Sequence, residues 1–196
     1  MTRTSRKGAL AAIAVLVLTA GCSGDLSRSS SPVTLVVTNT QTINQIDLAG
    51  SASASCAGSI ATVNIQPLLL TQTTNTNLPV DPRFNTVRLT SYRVSYVRRD
   101  GGTLVPAPFT RATSATLSVG TTSALSDFLG IEPGALNQAP FAALTPSGGG
   151  RDPETGKNSV TMDLILEVFG ETLAGERVSG STRMTLTFCY ACGGCK

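Results

Sequence analysis

The chain has 196 residues, of which 15 are Lys or Arg, 12 are Asp or Glu and none is His. Without histidine there is no Ser-His-Asp or Cys-His nucleophile, none of the common zinc hydrolase ligand sets, and no ordinary base titrating near neutrality. A formal charge of +3 over this length gives no field that would gather nucleic acid or an anionic membrane.

The N-terminus reads "MTRTSRKGALAAIAVLVLTAGCSGD". Arg3, Arg6 and Lys7 form a positive head, and the apolar run that follows ends at Leu18, short of the ~20 residues that a spanning helix needs. Small residues then close a secretory leader. Leu18-Thr19-Ala20-Gly21-Cys22 resembles the lipobox of bacterial lipoproteins, with Thr19 where that family more often has Leu. The resemblance implies that residues 1–21 are removed and that Cys22 carries acyl chains such as palmitate. Two lipid signals already suffice for stable anchoring, so the partner it implies is a membrane. Ser23, rather than Asp, follows the cysteine; by the same resemblance this favours the outer membrane. The plainer alternative is a cut near Ala20 that leaves Cys22 an ordinary thiol. Losing the leader removes three of the fifteen basic residues and no acid, so twelve face twelve and the mature net charge is zero.

Residues 22–32 read as a polar tether, and residues 33–196 as one domain of ordinary size. Period-two alternation dominates this domain. Val33, Leu35 and Val37 share one face, as do Ala61, Val63 and Ile65. In "VRLTSYRVSYVRR", Val87 and Leu89 have one parity while Tyr92, Val94 and Tyr96 have the other, which predicts a β-bulge near Thr90-Ser91. Asp100-Gly101-Gly102 turns the chain. Residues 123–130 predict a helical turn capped by Ser123 and stopped by Gly130, and a long Pro/Gly-rich connection follows. Near the end, Val160, Met162, Leu164, Leu166 and Val168 share a face, matched by Val178, Met184, Leu186 and Phe188. Pairing Gly170 with Glu176 aligns both apolar faces and sets Asp163 opposite Arg183, an ion pair worth about 0.2–1 kcal/mol.

Short strands separated by turn signals predict an all-β fold, a single antiparallel β-sandwich. "LTSYRVSYVRRDGG", "VPAPF" and "LEVFGETLAGERVSGS" resemble Ig-like or fibronectin type III-like domains of bacterial surface proteins. That resemblance implies the architecture and no activity.

After Cys22, the cysteines are Cys56, Cys189, Cys192 and Cys195. An even set of thiols outside the cytoplasm predicts disulfides. Residues three apart in an extended strand point to opposite faces, so Cys189 and Cys192 need a sharp bend to meet. Gly193-Gly194 eases a local Cys192–Cys195 ring. Cys56–Cys189 would then tie an early strand to the last one, contributing about 4–5 kcal/mol of chain entropy. Pairing of Cys56 with Cys192 or Cys195 is the alternative. A sharper reading makes Cys56, Cys189, Cys192 and Cys195 four thiolate ligands of a metal ion such as zinc, or a thiol-redox centre.

Other candidates have bland explanations. Asp163 and Glu167 read as solvated ion pairs rather than a catalytic acid pair. Asp152, Glu154 and Asn158 in "GGGRDPETGKN" supply oxygens for Ca²⁺ but miss the EF-hand spacing, so they read as a surface turn. Gly148-Gly149-Gly150 lacks the lysine and helix of a phosphate cradle. Arg83, Arg88, Arg93, Arg98, Arg99 and Arg111, interleaved with Tyr92 and Tyr96, offer an acidic glycan or lipid headgroup a site, or simply a solvated face. The expectation is a non-enzymatic, cofactor-free, lipid-anchored envelope protein for binding, adhesion or structure, with protein or glycan ligands met by end loops at residues 78–85 and 139–158. The alternative is an extracytoplasmic metal-binding or thiol-redox protein using the terminal cysteines.

Overall fold

The computed structural model describes residues 31–49, 60–70, 82–126 and 128–193. The leader, Cys22, Cys56, Cys195 and residues 78–81 lie outside these. The order is β1 (Val33–Gln41), β2 (Gln45–Asp47), β3 (Ala61–Leu69), a four-residue helix α1 (Pro82–Asn85), β4 (Val87–Arg98), β5 (Phe109–Leu117), β6 (Ser123–Ala124), three 3₁₀ turns between Pro133 and Gly148, β7 (Ser159–Thr172) and β8 (Arg177–Cys189). The all-β expectation holds. A three-stranded sheet runs β1-β3-β6, and a five-stranded sheet runs β2-β8-β7-β4-β5.

Each strand buries the face that its alternation marks. Leu35, Val63 and Ile65 of the smaller sheet join Val94, Leu164, Leu166 and Leu186 of the larger in one apolar core. The bulge stands where the parity changes: the ladders of β4 to both neighbours shift between Leu89 and Ser91. Thr90 is the extra residue against β7, and its hydroxyl donates to the Phe169 carbonyl at 3.3 Å. The shift lets Leu89 and Tyr92 face the same core despite their odd spacing.

The pairing is not wholly antiparallel. After β1 pairs with β3, the chain steps across to the larger sheet, where β2 runs parallel to the end of β8. Polar side chains stitch the step. The Asn39 amide donates to the Arg183 carbonyl at 3.2 Å, and the Gln41 amide to the Thr185 carbonyl at 2.6 Å. These bonds satisfy acceptors on an edge that would otherwise invite another strand.

The β7–β8 hairpin forms with its apolar faces as expected, but two residues out of the expected register. Gly170 pairs with Val178 and Asp163 with Thr185. A slip of two keeps every side chain on its own face, so hydrophobic parity is blind to it. The turn decides. Thr172 N–H bonds to the Glu176 carbonyl, and Gly175, at φ 87°, bonds back to Thr172, closing a three-residue turn where five residues were expected. The observed register also sets Gly180 opposite Val168. A Cβ on Gly180 would collide with the Leu35 carbonyl oxygen, so this glycine is what lets β1 lie against β8.

The described residues of the 123–130 stretch do not form the expected helical turn. Ser123 and Ala124 pair with Ile65 and Asn64, and the Leu125 amide bonds to the Val63 carbonyl. A single turn gains little by itself, whereas the β3 edge offers ready backbone partners and a buried place for Leu125. The long connection is likewise more than a surface loop. Its 3₁₀ turns bury Leu136, Phe141 and Leu144, with the Phe141 ring 4.3 Å from that of Phe188.

Gly180→Ala should destabilise the protein by about 1–3 kcal/mol, as overpacking does. Gly134→Ala, with open space around its Cβ, should be neutral or slightly stabilising. Urea unfolding of the two variants checks the contrast.

Candidate functional site at the loop-rich end of the large sheet

The end of β4, the start of β7 and the end of β8 meet at one end of the large sheet. Arg98 closes β4 there, on the same inward parity as Tyr92, Val94 and Tyr96. An arginine aimed inward must find acceptors, because an unpaired buried charge is prohibitive. Its side chain is 1% exposed. Nε donates to Asp100 Oδ1 at 2.7 Å, and Nη2 donates to Asp100 Oδ2 at 2.9 Å and to Asp152 Oδ2 at 2.8 Å. Nη1 donates to the Leu104 carbonyl at 3.1 Å.

The acids are themselves tied down. Asp100 also accepts from the amides of Thr161 and Gly102, and Asp152 accepts from the amide and hydroxyl of Thr155. Glu154 takes the Thr103 amide and hydroxyl and the Leu104 amide. Two turns, 100–104 and 152–155, are thereby clamped around one guanidinium. Asp152 Oδ1 is buried with no hydrogen-bond partner among the described residues. Burial opposes ionisation of Asp100, but the bonds from Arg98 and the two amides outweigh it and hold its pKa at about 2. Asp152 is likewise lowered by Arg98 and Thr155 against the effect of burial, and Glu154 is lowered by its bonds to Thr103 and Leu104. Acids held this low stay ionised at neutral pH and cannot serve there as proton donors.

The loop 148–158 lies mostly at the surface, as expected, but Asp152 is buried and tied to Arg98 rather than to a calcium ion. The cation between Asp152 and Glu154 is Arg98, and no group of three or more potential metal-ligating side chains forms among the described residues. Asp163, expected among solvated pairs, is 1% exposed. It accepts Arg99 Nε at 2.6 Å and the Thr185 hydroxyl at 2.8 Å, with Arg183 at 3.4 Å. The Asp163–Arg183 pair therefore exists, diagonally rather than directly across. Tyr92 and Tyr96 are core residues, not an aromatic surface. The Tyr92 hydroxyl accepts the Leu129 amide, and the Tyr96 hydroxyl donates to the Gly130 carbonyl at 2.8 Å. Burial, with Glu132 nearby, pushes the Tyr96 phenol well above its usual range. Arg88 and Arg93 lie exposed on the outer face of β4, each directly across from a β7 acid, Glu171 and Glu167.

The cysteines pair differently from the expectation of Cys192–Cys195 with Cys56–Cys189: the structure joins Cys189 to Cys192, Cα atoms 6.0 Å apart. Extended geometry stops at Cys189, the last residue of β8. Ala191, at φ 51° between the two cysteines, supplies the sharp bend. Gly193 N–H donates to Asp47 Oδ2, and the Gln45 amide donates to the Cys192 carbonyl, fastening the ring to β2. The bridge removes two of the four thiolates that the metal reading requires. Cys56, Cys195 and Cys22 lie outside the described residues.

On the outer face beside the bulge, a depression of about 350 Å³ is lined by Thr90, Phe169, Glu171 and Arg177, among others. Comparison of the chain with protein-family models, curated proteins and solved structures gives no significant match.

Removing the cation by Arg98→Met should cost about 3–5 kcal/mol, because it strands buried carboxylates. Since the folded Asp100 pKa is depressed to about 2, its contribution is complete above the unfolded value of about 4 and is lost as pH falls through the folded value. Thermal melts should therefore hold steady down to about pH 4 and drop toward pH 2, with a shallower drop in Asp100→Asn. Peptide mapping without reduction, with chymotryptic cleavage after Tyr190, should recover residues 189 and 192 in two peptides joined by the bridge. Cys189→Ser/Cys192→Ser should cost about 2 kcal/mol, as expected for so short a ring.

Proposed function

We propose that the chain is a lipid-anchored, non-enzymatic module of the cell envelope, held at the membrane through Cys22, with an Ig-like β-sandwich that acts in binding, adhesion or envelope structure. The observation that carries the reading is the state of the charged groups at the loop-rich end: Arg98, Asp100 and Asp152 are engaged in pairs and bonds that fix backbone, and Asp163 is paired with Arg99 and Arg183. Such an arrangement builds a stiff end rather than a reactive one. Ig-like architecture is supported by the N-terminal strand that leaves one sheet to run parallel to the last strand of the other, and by the strand order of the larger sheet. The depression beside the bulge offers the Thr90 hydroxyl, the Phe169 ring and the charges of Glu171 and Arg177 to a polar ligand such as a glycan or a peptide. The lipobox-like run before Cys22 supports export, outer-membrane residence where the cell has such a membrane, and oxidised thiols.

The Cys189–Cys192 bridge favours a second reading, thiol exchange through its two-residue spacing. Titration against glutathione separates the two, because a structural bridge stays closed across the whole glutathione range.

Cells fed labelled palmitate should incorporate it into this protein and not into Cys22→Ser. The native mass should match a chain that begins at residue 22 with acyl groups. An unprocessed, unlabelled chain would overturn the anchor.

A further inference from the structure

Large apolar side chains are exposed at both ends of the larger sheet, Val97 (50%), Leu104 (40%) and Tyr190 (39%) around the Arg98 clamp and three more strongly exposed ones at the other end. At the end opposite the Arg98 clamp, Leu173 in the β7–β8 turn is 59% exposed, Phe84 in α1 61% and Leu70 after β3 59%. Topology puts them together. The Leu173 amide bonds to the Thr86 carbonyl, two residues beyond Phe84, and the Leu70 amide bonds to the Pro32 carbonyl. Because β1 runs alongside β8 with Leu35 over Gly180, its start lies at the same end as the start of β8.

That is also the end where the chain enters the fold, at Ser31. Resting on the reading of Cys22 as the anchor, we infer that this end, through Leu70, Phe84 and Leu173, sits on and dips into the surface of the anchoring bilayer. The nine residues from Ser23 to Ser31 span at most about 30 Å when fully extended. The 14 residues of β7 carry the clamped end roughly 45 Å further along the strand axis. Within that leash, these three are the exposed large apolar side chains among the described residues at the tethered end. At the headgroup–acyl boundary they find the environment that amphipathic anchors use. Two acyl signals keep the protein on the membrane; this contact orients it, with the clamp and the Cys189–Cys192 ring facing away.

The chain contains no tryptophan, so a single introduced indole reports its own surroundings. The full chain, expressed with its leader and reconstituted in phosphatidylcholine vesicles, is compared as Leu173→Trp, Phe84→Trp, Leu104→Trp and Tyr190→Trp. The last two mark the clamped end. The first two should emit further to the blue and be quenched about twofold or more by acyl-brominated lipid, as for side chains sunk ~5–10 Å into the interface. The last two should keep water-like emission without quenching. If wild type fails to float with the vesicles, or Cys22→Ser floats equally well, the anchor reading falls and this inference with it. If wild type floats and all four indoles emit alike, the orientation alone is overturned.

Discussion

A guanidinium taken out of water has to be met by acceptors on nearly every side, and Arg98 is taken out of water by the strand that carries it. β4 alternates inward through Tyr92, Val94 and Tyr96, and the next inward position is an arginine. Asp100 and Asp152 meet it through three hydrogen bonds, and Asp100 and the Asp152 Oδ2 also accept from amides and a hydroxyl of the surrounding segments. One charge thereby organises segments far apart in the sequence. The turn after β4, the loop before β7 and the first rung of β7 are positioned by the same group. Replacing such a cluster with well-packed apolar residues can be neutral or better for stability, whereas breaking it is severe. Its evident effect here is on geometry: it fixes how the loops leave the sheet.

Much of this fold is legible from alternation alone. The faces of β1, β3, β7 and β8 follow parity, and the change of parity within "VRLTSYRVSYVRR" locates the bulge. The inward parity of Arg98 is visible in the same stretch and signals a buried ion cluster. Reading the six arginines as a group by proximity hides that signal. The acids that complete the cluster, Asp152 above all, sit in a loop with no periodicity, so nothing in the sequence points them at Arg98.

The misplacements share one cause: parity fixes faces, not partners. A two-residue slip in the β7–β8 ladder leaves every apolar side chain inward, so only the turn chemistry of Thr172, Gly175 and Glu176 can choose the register. Cys189 and Cys192 point apart while extended geometry is assumed, and that assumption ends one residue after Cys189. Ser123-Ala124-Leu125 joins an edge because β3 offers amide partners there, a tertiary effect outweighing a weak local preference. Phe141 and Leu144 enter the core from a segment whose prolines and glycines suggest only a loop.

The result is a β domain with one stiffened, charge-locked end and an opposite end through which its N-terminal segment arrives. The central claim is that Arg98 holds the loop-rich end as firmly as the sheet itself. Amide hydrogen exchange at Thr155 and Thr161, which donate to Asp152 and Asp100, tests it most directly. Both should exchange as slowly as core amides of β7, opening only with global unfolding. Exchange of either at loop rates, while β7 stays protected, would contradict the account.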